Sequence, residues 1–240
     1  MAKVTREQSE LLRQIIINAA AESFLKKGFT NTTIRQIITK LGISAGAFSG
    51  HFKTKEDVLY DMVSLVLNQQ FTASEKLIAG RADDKILLYA AETVLQLYIV
   101  EMDENLRDVY YNAYSLPKTS ALIQQMVTEK VTVIFKEQLP ELESKDFYLL
   151  EIATGGVMRG FMIVPCNLWF TMDMKVDAFL RNTLRLYYVP EEKIQQTIAF
   201  VKTIDFNRAA KETVSGIFQY LERQREHLQG TAYHYGKGGQ

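Results

Sequence analysis

The stretch Thr33-Ile34-Arg35-Gln36-Ile37-Ile38-Thr39-Lys40-Leu41-Gly42-Ile43-Ser44-Ala45-Gly46-Ala47-Phe48-Ser49-Gly50-His51-Phe52 decides the fold. Ile34, Ile37, Ile38 and Leu41 recur at i, i+3, i+4 spacing, the stripe of a short amphipathic helix, with Thr32 or Thr33 available to cap it. Gly42 supplies the positive φ that a tight stop needs, and Ser44 is placed to cap a second short helix over 45–51. Ile43 and Phe48 would plug the angle between the two helices. Ala45, Gly46 and Ala47 keep the second one thin enough to enter a DNA major groove. Spacing and side-chain size thus predict a helix-turn-helix, although an αα-hairpin without function has the same pattern.

The flanks agree. Upstream, Leu12, Ile15, Ile16, Ala19, Ala20, Phe24 and Leu25 form a helical stripe that stops at Lys26-Lys27-Gly28. Downstream, Thr54 can cap a long helix over 55–79, with Glu56 and Asp57 favourably placed in its first turn. Helical periodicity continues at 83–102, 104–115, 119–138, 145–169, 174–188, 191–203 and 206–228. Pro117, Pro140 and Pro190 stand where helices should start or stop. No β pattern or internal repeat interrupts the series. The expectation is an all-α chain with three parts: an N-terminal three-helix DNA-binding domain over 1–54, a larger helical ligand-binding and dimerisation domain over 55–229, and a disordered tail over 230–240.

Charge separates the same parts. Residues 1–60 hold nine basic and five acidic side chains, a net +4 on a chain whose total is zero, so the body carries −4. A basic end on an acidic body suits a polyanionic partner for the first part alone. Cys166 is the one cysteine, which excludes an internal disulfide framework and argues against a cysteine-based zinc site. The polar segment Met1–Arg13 does not read as a secretory signal, and no apolar run reaches the roughly 20 residues that span a bilayer. A cytoplasmic protein is expected. His51, His227 and His234 lack partners at metal-binding spacing, and no nucleophile elbow or phosphate-cradling loop is present, so no catalytic residue, metal or cofactor is expected. Gly155, Gly156 and Gly160 lie within a helical pattern and read as a place where two helices approach closely.

Taken together, Ile15, Ala19-Ala20, Phe24, Gly28-Phe29, Thr32-Thr33-Ile34, Ile37, Leu41-Gly42-Ile43-Ser44, Gly46, Phe48, Phe52, Lys55-Glu56 and Leu59 resemble the TetR-family DNA-binding domain, over about residues 9–60. The resemblance implies a homodimer that binds a palindromic double-stranded DNA operator and is released from it by a small-molecule effector. It makes 45–51 the recognition helix and puts Thr33, Arg35, Ser44, Ala45, Ala47, Ser49, His51 and Lys55 on the DNA face. The chain departs from the family at Ser49, where a tyrosine usually reaches the backbone phosphates, and at Gly50. These departures leave a second reading open: a helical ligand-binding or adaptor protein that has lost DNA binding. The resemblance further implies that two C-terminal helices of each subunit form a four-helix bundle. The segments 145–169 and 206–228 are the candidates, with Ala210, Val214, Ile217, Phe218 and Leu221 as the contact stripe. The dense aromatic and methionine side chains of the body read as core, or as a ligand cavity lined by Tyr98, Met102, Tyr110, Tyr114, Met158, Phe161 and Trp169, with Glu101 or Arg159 as polar handles.

Overall fold

The computed structural model describes residues 6–80 and 84–237. Among these residues the secondary structure is helical throughout, apart from a single β-bridge between Asn167 and Phe170. The helices are α1 (Arg6–Lys27), α2 (Ile34–Leu41), α3 (Ala45–Ser49), α4 (Lys55–Leu77), α5 (Lys85–Met102) and α6 (Glu104–Ser115), followed by α7 (Pro117–Phe135), α8 (Ser144–Ile163), α9 (Met172–Leu186), α10 (Glu191–Val201) and α11 (Phe206–Lys237). None of the helices is long and apolar enough to cross a membrane.

Local chemistry sets the ends. Thr33 and Thr54 each close a capping box, with Gln36 and Asp57 as the reciprocal partners. Ser44 caps α3 by accepting from the Ala47 amide at 3.1 Å. Thr32, the other cap candidate, is buried and donates to the Gly28 carbonyl at 2.7 Å. Gly42 holds the left-handed conformation at φ +64° that ends α2.

One element is shorter than its periodicity. The apolar pattern over 145–169 predicts an unbroken helix, but α8 ends at Ile163. Pro165 is the cause: it pushes the residue before it out of the helical region, and Val164 sits at φ −93°, ψ 108°. Residues 164–171 instead form a turn in which the Asn167 side chain accepts from the Trp169 and Phe170 amides. At the other end of the chain, α11 runs on to Lys237, beyond the end at 228 read from periodicity; residues 238–240 of the expected tail lie outside the described residues.

Two apolar cores meet along α4, α6 and α11. The N-terminal core gathers Ile16, Ala20, Phe24, Ile37, Phe48 and Phe52 with Val58 and Leu59 of α4, Val109 of α6 and Ile217 and Leu221 of α11. The larger core holds most of α5 together with Phe135, Phe147, Met162, Phe179, Ala210 and Val214. The α11 stripe expected at a dimer interface is therefore interior to the chain itself. Ala210, Val214, Ile217 and Leu221 are buried, and Phe218 is partly buried against the larger core. Asn18 of α1 donates to the Leu221 carbonyl at 2.8 Å and pins the two helices together. Burying this face inside one chain leaves it unavailable to a second.

The candidate DNA-binding face and effector cavity

Phe48 is 2% exposed and anchors α3 against the N-terminal core, which turns the rest of this short helix outward. Ser44, Ala45, Gly46 and Ser49 are exposed, and Ala47 and His51 are half-buried. Thr33 and Arg35 are exposed on the first turn of α2, and Arg35 makes no ion pair or hydrogen bond among the described residues. The expected DNA-facing side chains are thus exposed or half-buried, but two of them are engaged elsewhere. The Lys55 ammonium donates to the Phe29 carbonyl at 2.7 Å and lies 4.4 Å from the centroid of the Phe29 ring. Burial holds its pKa below that of an ordinary lysine, a shift that the Asp108 carboxylate opposes. Ser49 folds back to donate to the Gly46 carbonyl at 3.2 Å. Lys53 stands exposed between α3 and α4 and was missed by motif reading; its place just before the Thr54 cap was the available signal.

Besides the Asn18 bond to α11, polar contacts from α6 and α7 fasten the unit to the body. Asp108 of α6 accepts from the Thr30 amide at 2.7 Å and from its hydroxyl at 2.6 Å, beside the end of α1. At the start of α7, the Lys118 amide donates to Glu56 at 2.6 Å and its ammonium pairs with Asp57, so the first turn of α4 rests on α7.

Behind that attachment lies an apolar cavity of about 60 Å³. Leu59, Met62, Val63, Val66, Leu67 and Gln70 of α4 form one wall, and Leu106, Val109, Tyr110 and Ala113 of α6 form another. Gln96 and Tyr114 line both this cavity and a smaller one of about 20 Å³, which reaches Glu92, Glu151 and Met158. Of the expected ligand residues, Tyr110, Tyr114 and Met158 therefore come together. The other four do not. Tyr98 stacks on Phe206 with centroids 5.4 Å apart, and Met102 is exposed at the end of α5. Phe161 borders an open surface groove with Gly160, Val164 and Asn182, and Trp169 is 89% exposed at the tip of the 164–171 turn. Glu101, expected as a polar handle, is occupied: it accepts from the buried Lys175 ammonium at 2.5 Å and from the Cys166 amide at 3.1 Å. Arg159 is exposed on α8.

The two interior carboxylates were not among the expected residues. Glu92 is 4% and Glu151 3% exposed. Desolvation raises their pKa values to about 7 and about 8 respectively. A lone acid inside an otherwise apolar helical run, as at Glu92 between Ile86 and Val100, was the signal.

Residues 16–62, from α1 into the first turns of α4, match the model of the family described as bacterial regulatory proteins, tetR family. That stretch is a TetR-family DNA-binding domain. Similar curated relatives include the uncharacterized HTH-type transcriptional regulator YerO of Bacillus subtilis, 37% identical over 79 residues, which are 31% of this chain and 27% of that protein. The HTH-type transcriptional regulator SrpR of Pseudomonas putida is 42% identical over 59 residues, 25% of this chain and 28% of its own. These two matches span little more than a quarter of each relative. The HTH-type transcriptional regulator SAB2452 of Staphylococcus aureus is 25% identical over 61% of this chain and 95% of its own length. The matched stretch carries its helix-turn-helix in α2 and α3, and α4 leads from that unit into the helical body.

Proposed function

We propose that the protein is a transcriptional repressor that binds a palindromic operator as a homodimer and leaves it when a small molecule enters the body. The supporting observation is the double use of α4. Its first turn is packed with the helix-turn-helix and held by Lys118, while its next three turns wall the cavity. Binding sites for drug-sized molecules occupy roughly 300 Å³ or more. A cavity of about 60 Å³ admits such a ligand only if a wall moves. Displacing α4 carries the recognition helix with it and changes the separation of the two helices in a dimer, which must sit about 34–36 Å apart to reach successive major grooves. The ligand favours release by as much as it prefers the displaced state, typically 1–3 kcal/mol.

On the DNA side, Arg35, Lys53, His51 and the exposed hydroxyls of Thr33 and Ser44 supply the contacts, with α3 as the reading helix. For the dimer, α8 offers the face that α11 cannot. Leu149, Ile152, Ala153, Gly156, Gly160 and Ile163 recur at helical spacing and are exposed. The close helix approach read from the glycines has no partner among the described residues, since a Cβ at Gly156 or Gly160 would meet nothing within 4 Å. A second copy of α8 fits this face.

Selection of bound sequences from a random duplex library by the full chain tests the reading. One enriched palindrome is expected, with log K falling against log salt at a slope near −7 if each subunit neutralises about four phosphates. The adaptor reading is favoured by the inward ties of Lys55 and Ser49. A folded dimer that enriches no sequence would establish it instead.

A further inference from the structure

The interior shared by α4, α5, α6 and α8 has an excess of acceptors. Glu92 takes a hydrogen bond from the Gln96 amide, and Glu151 takes one from the Thr154 hydroxyl at 3.2 Å. No lysine or arginine among the described residues forms an ion pair with either carboxylate. Gln70, wholly buried in the wall of the adjoining cavity, spends its amide on the Tyr110 hydroxyl and leaves its Oε1 with no hydrogen-bond partner. The two cavities share Gln96 and Tyr114, and the aromatic rings of Phe71, Tyr89 and Phe179 complete the smaller one.

We propose that this interior holds a hydrophobic organic cation, its charged head between Glu92 and Glu151 and its apolar body against α4. The inference rests on reading the interior as the effector site and names the chemistry of the effector. A buried carboxylate without a cation is costly to ionise, so without ligand both acids hold protons below neutral pH. A bound cation reverses that preference: the acids ionise, their protons leave to solvent, and the rings add cation–π attraction. An anionic ligand finds no cationic side chain in the lining of either cavity to receive it. The ionisable groups around the pair are Tyr89 on α5, Tyr110 and Tyr114 on α6, and Tyr187 beyond α9, all with hydroxyl pKa values pushed up by burial. Lys130 of α7 lies 5.0 Å from the Phe71 ring centroid but is exposed. From α4 the neutral Gln70 faces the site.

Calorimetric titration of the full chain with tetraphenylphosphonium, without DNA, tests the site, with triphenylphosphine oxide as a neutral probe. The cation is expected to bind about tenfold or more tightly at pH 8.5 than at pH 6, and to release protons, read by repeating the titration in buffers of different ionisation enthalpy. Glu92→Gln and Glu151→Gln should each weaken the cation about tenfold or more and leave the neutral probe unchanged. Thermal melting establishes that each variant is folded, and proton release from the unmodified chain is independent of any variant. Absence of cation binding, binding without proton release, or unchanged affinity in both folded variants would overturn the inference. Adding the cation to the DNA complex separates this site from the wider reading. Proton-linked binding that leaves DNA bound keeps the cation site and removes its effector role. DNA release by neutral molecules alone, with no cation bound, removes the cation site and keeps the repressor.

Discussion

At the scale of single residues, two glycines on the DNA side have opposite requirements. Gly42 sits at φ +64°, where a side chain crowds its own backbone, whereas Gly50 sits at φ −66°, ψ −22°, ordinary helical values. A Cβ at Gly50 would meet the Gly46 carbonyl at 3.5 Å and the Ala47 carbonyl at 3.6 Å, both normal contacts. Gly50→Ala should therefore stabilise the protein by about 0.4–1 kcal/mol, because alanine narrows the unfolded ensemble at no cost to the folded one. Gly42→Ala should destabilise it by roughly 1 kcal/mol, since the left-handed region is closed to most side chains. Thermal melts read both, at about 2–4 °C per kcal/mol for a chain of this size. Equal shifts of the same sign would contradict the assigned turn geometry. A family departure in the sequence is thus, at Gly50, a replaceable residue and not a structural requirement.

At the scale of elements, the link between α6 and the end of α1 decides how firmly the DNA-binding unit is held. Asp108 collects both donors of Thr30 and also accepts from the Asn112 amide at 3.0 Å. Asp108→Ala strands the Thr30 amide next to the body and removes the negative charge that faces Lys55. A loss of about 1 kcal/mol of stability is expected, at the low end for charged hydrogen bonds because the site is half-exposed. Amide exchange at Thr30 should accelerate more than tenfold while the α5 amides keep their protection. If Thr30 exchange were unchanged, the rigid attachment through α6 would be disproved. Much at this scale was legible in the sequence, because helix stripes, caps and the Gly42 stop are set by neighbours three or four residues apart. The Pro165 break was legible too, in the proline itself, although the apolar pattern runs through it. The cavity was only partly legible: periodicity tells that Tyr98, Tyr110 and Tyr114 face inward or across, not which helix each meets. Tyr98 meets Phe206, while Tyr110 and Tyr114 meet the space beside α4. Lys55 marks the same limit on the DNA face, since a motif position does not reveal that Phe29 captures the ammonium.

At the scale of the whole molecule, the question is which apolar face is left for a partner once the chain has satisfied itself. Both α8 and α11 carry apolar stripes in the sequence, and a sequence cannot distinguish a stripe buried within the chain from one buried between chains. The fold does so by topology: α11 lies against α1 and α5 and joins the two cores, while α8 presents one face inward through Phe147, Met158 and Met162 and the other outward. On that outer face Leu149 is 64% and Ile152 43% exposed, with Gly156 and Gly160 leaving room for a second backbone. Ile152→Asp therefore puts a charge where two copies would meet and nothing where one chain folds. Sedimentation velocity should show a monomer with an unchanged melting profile at low concentration. Affinity for a two-half-site operator should fall on the order of a hundredfold, since the second half-site no longer binds as part of one molecule. Affinity for a single half-site should stay within about twofold, because α2 and α3 are untouched. An Ile152→Asp protein that remains dimeric would move the interface away from α8. The exposed Leu168 and Trp169 of the 164–171 turn, held in place by Lys175 and Glu101, would then be the surface to substitute next.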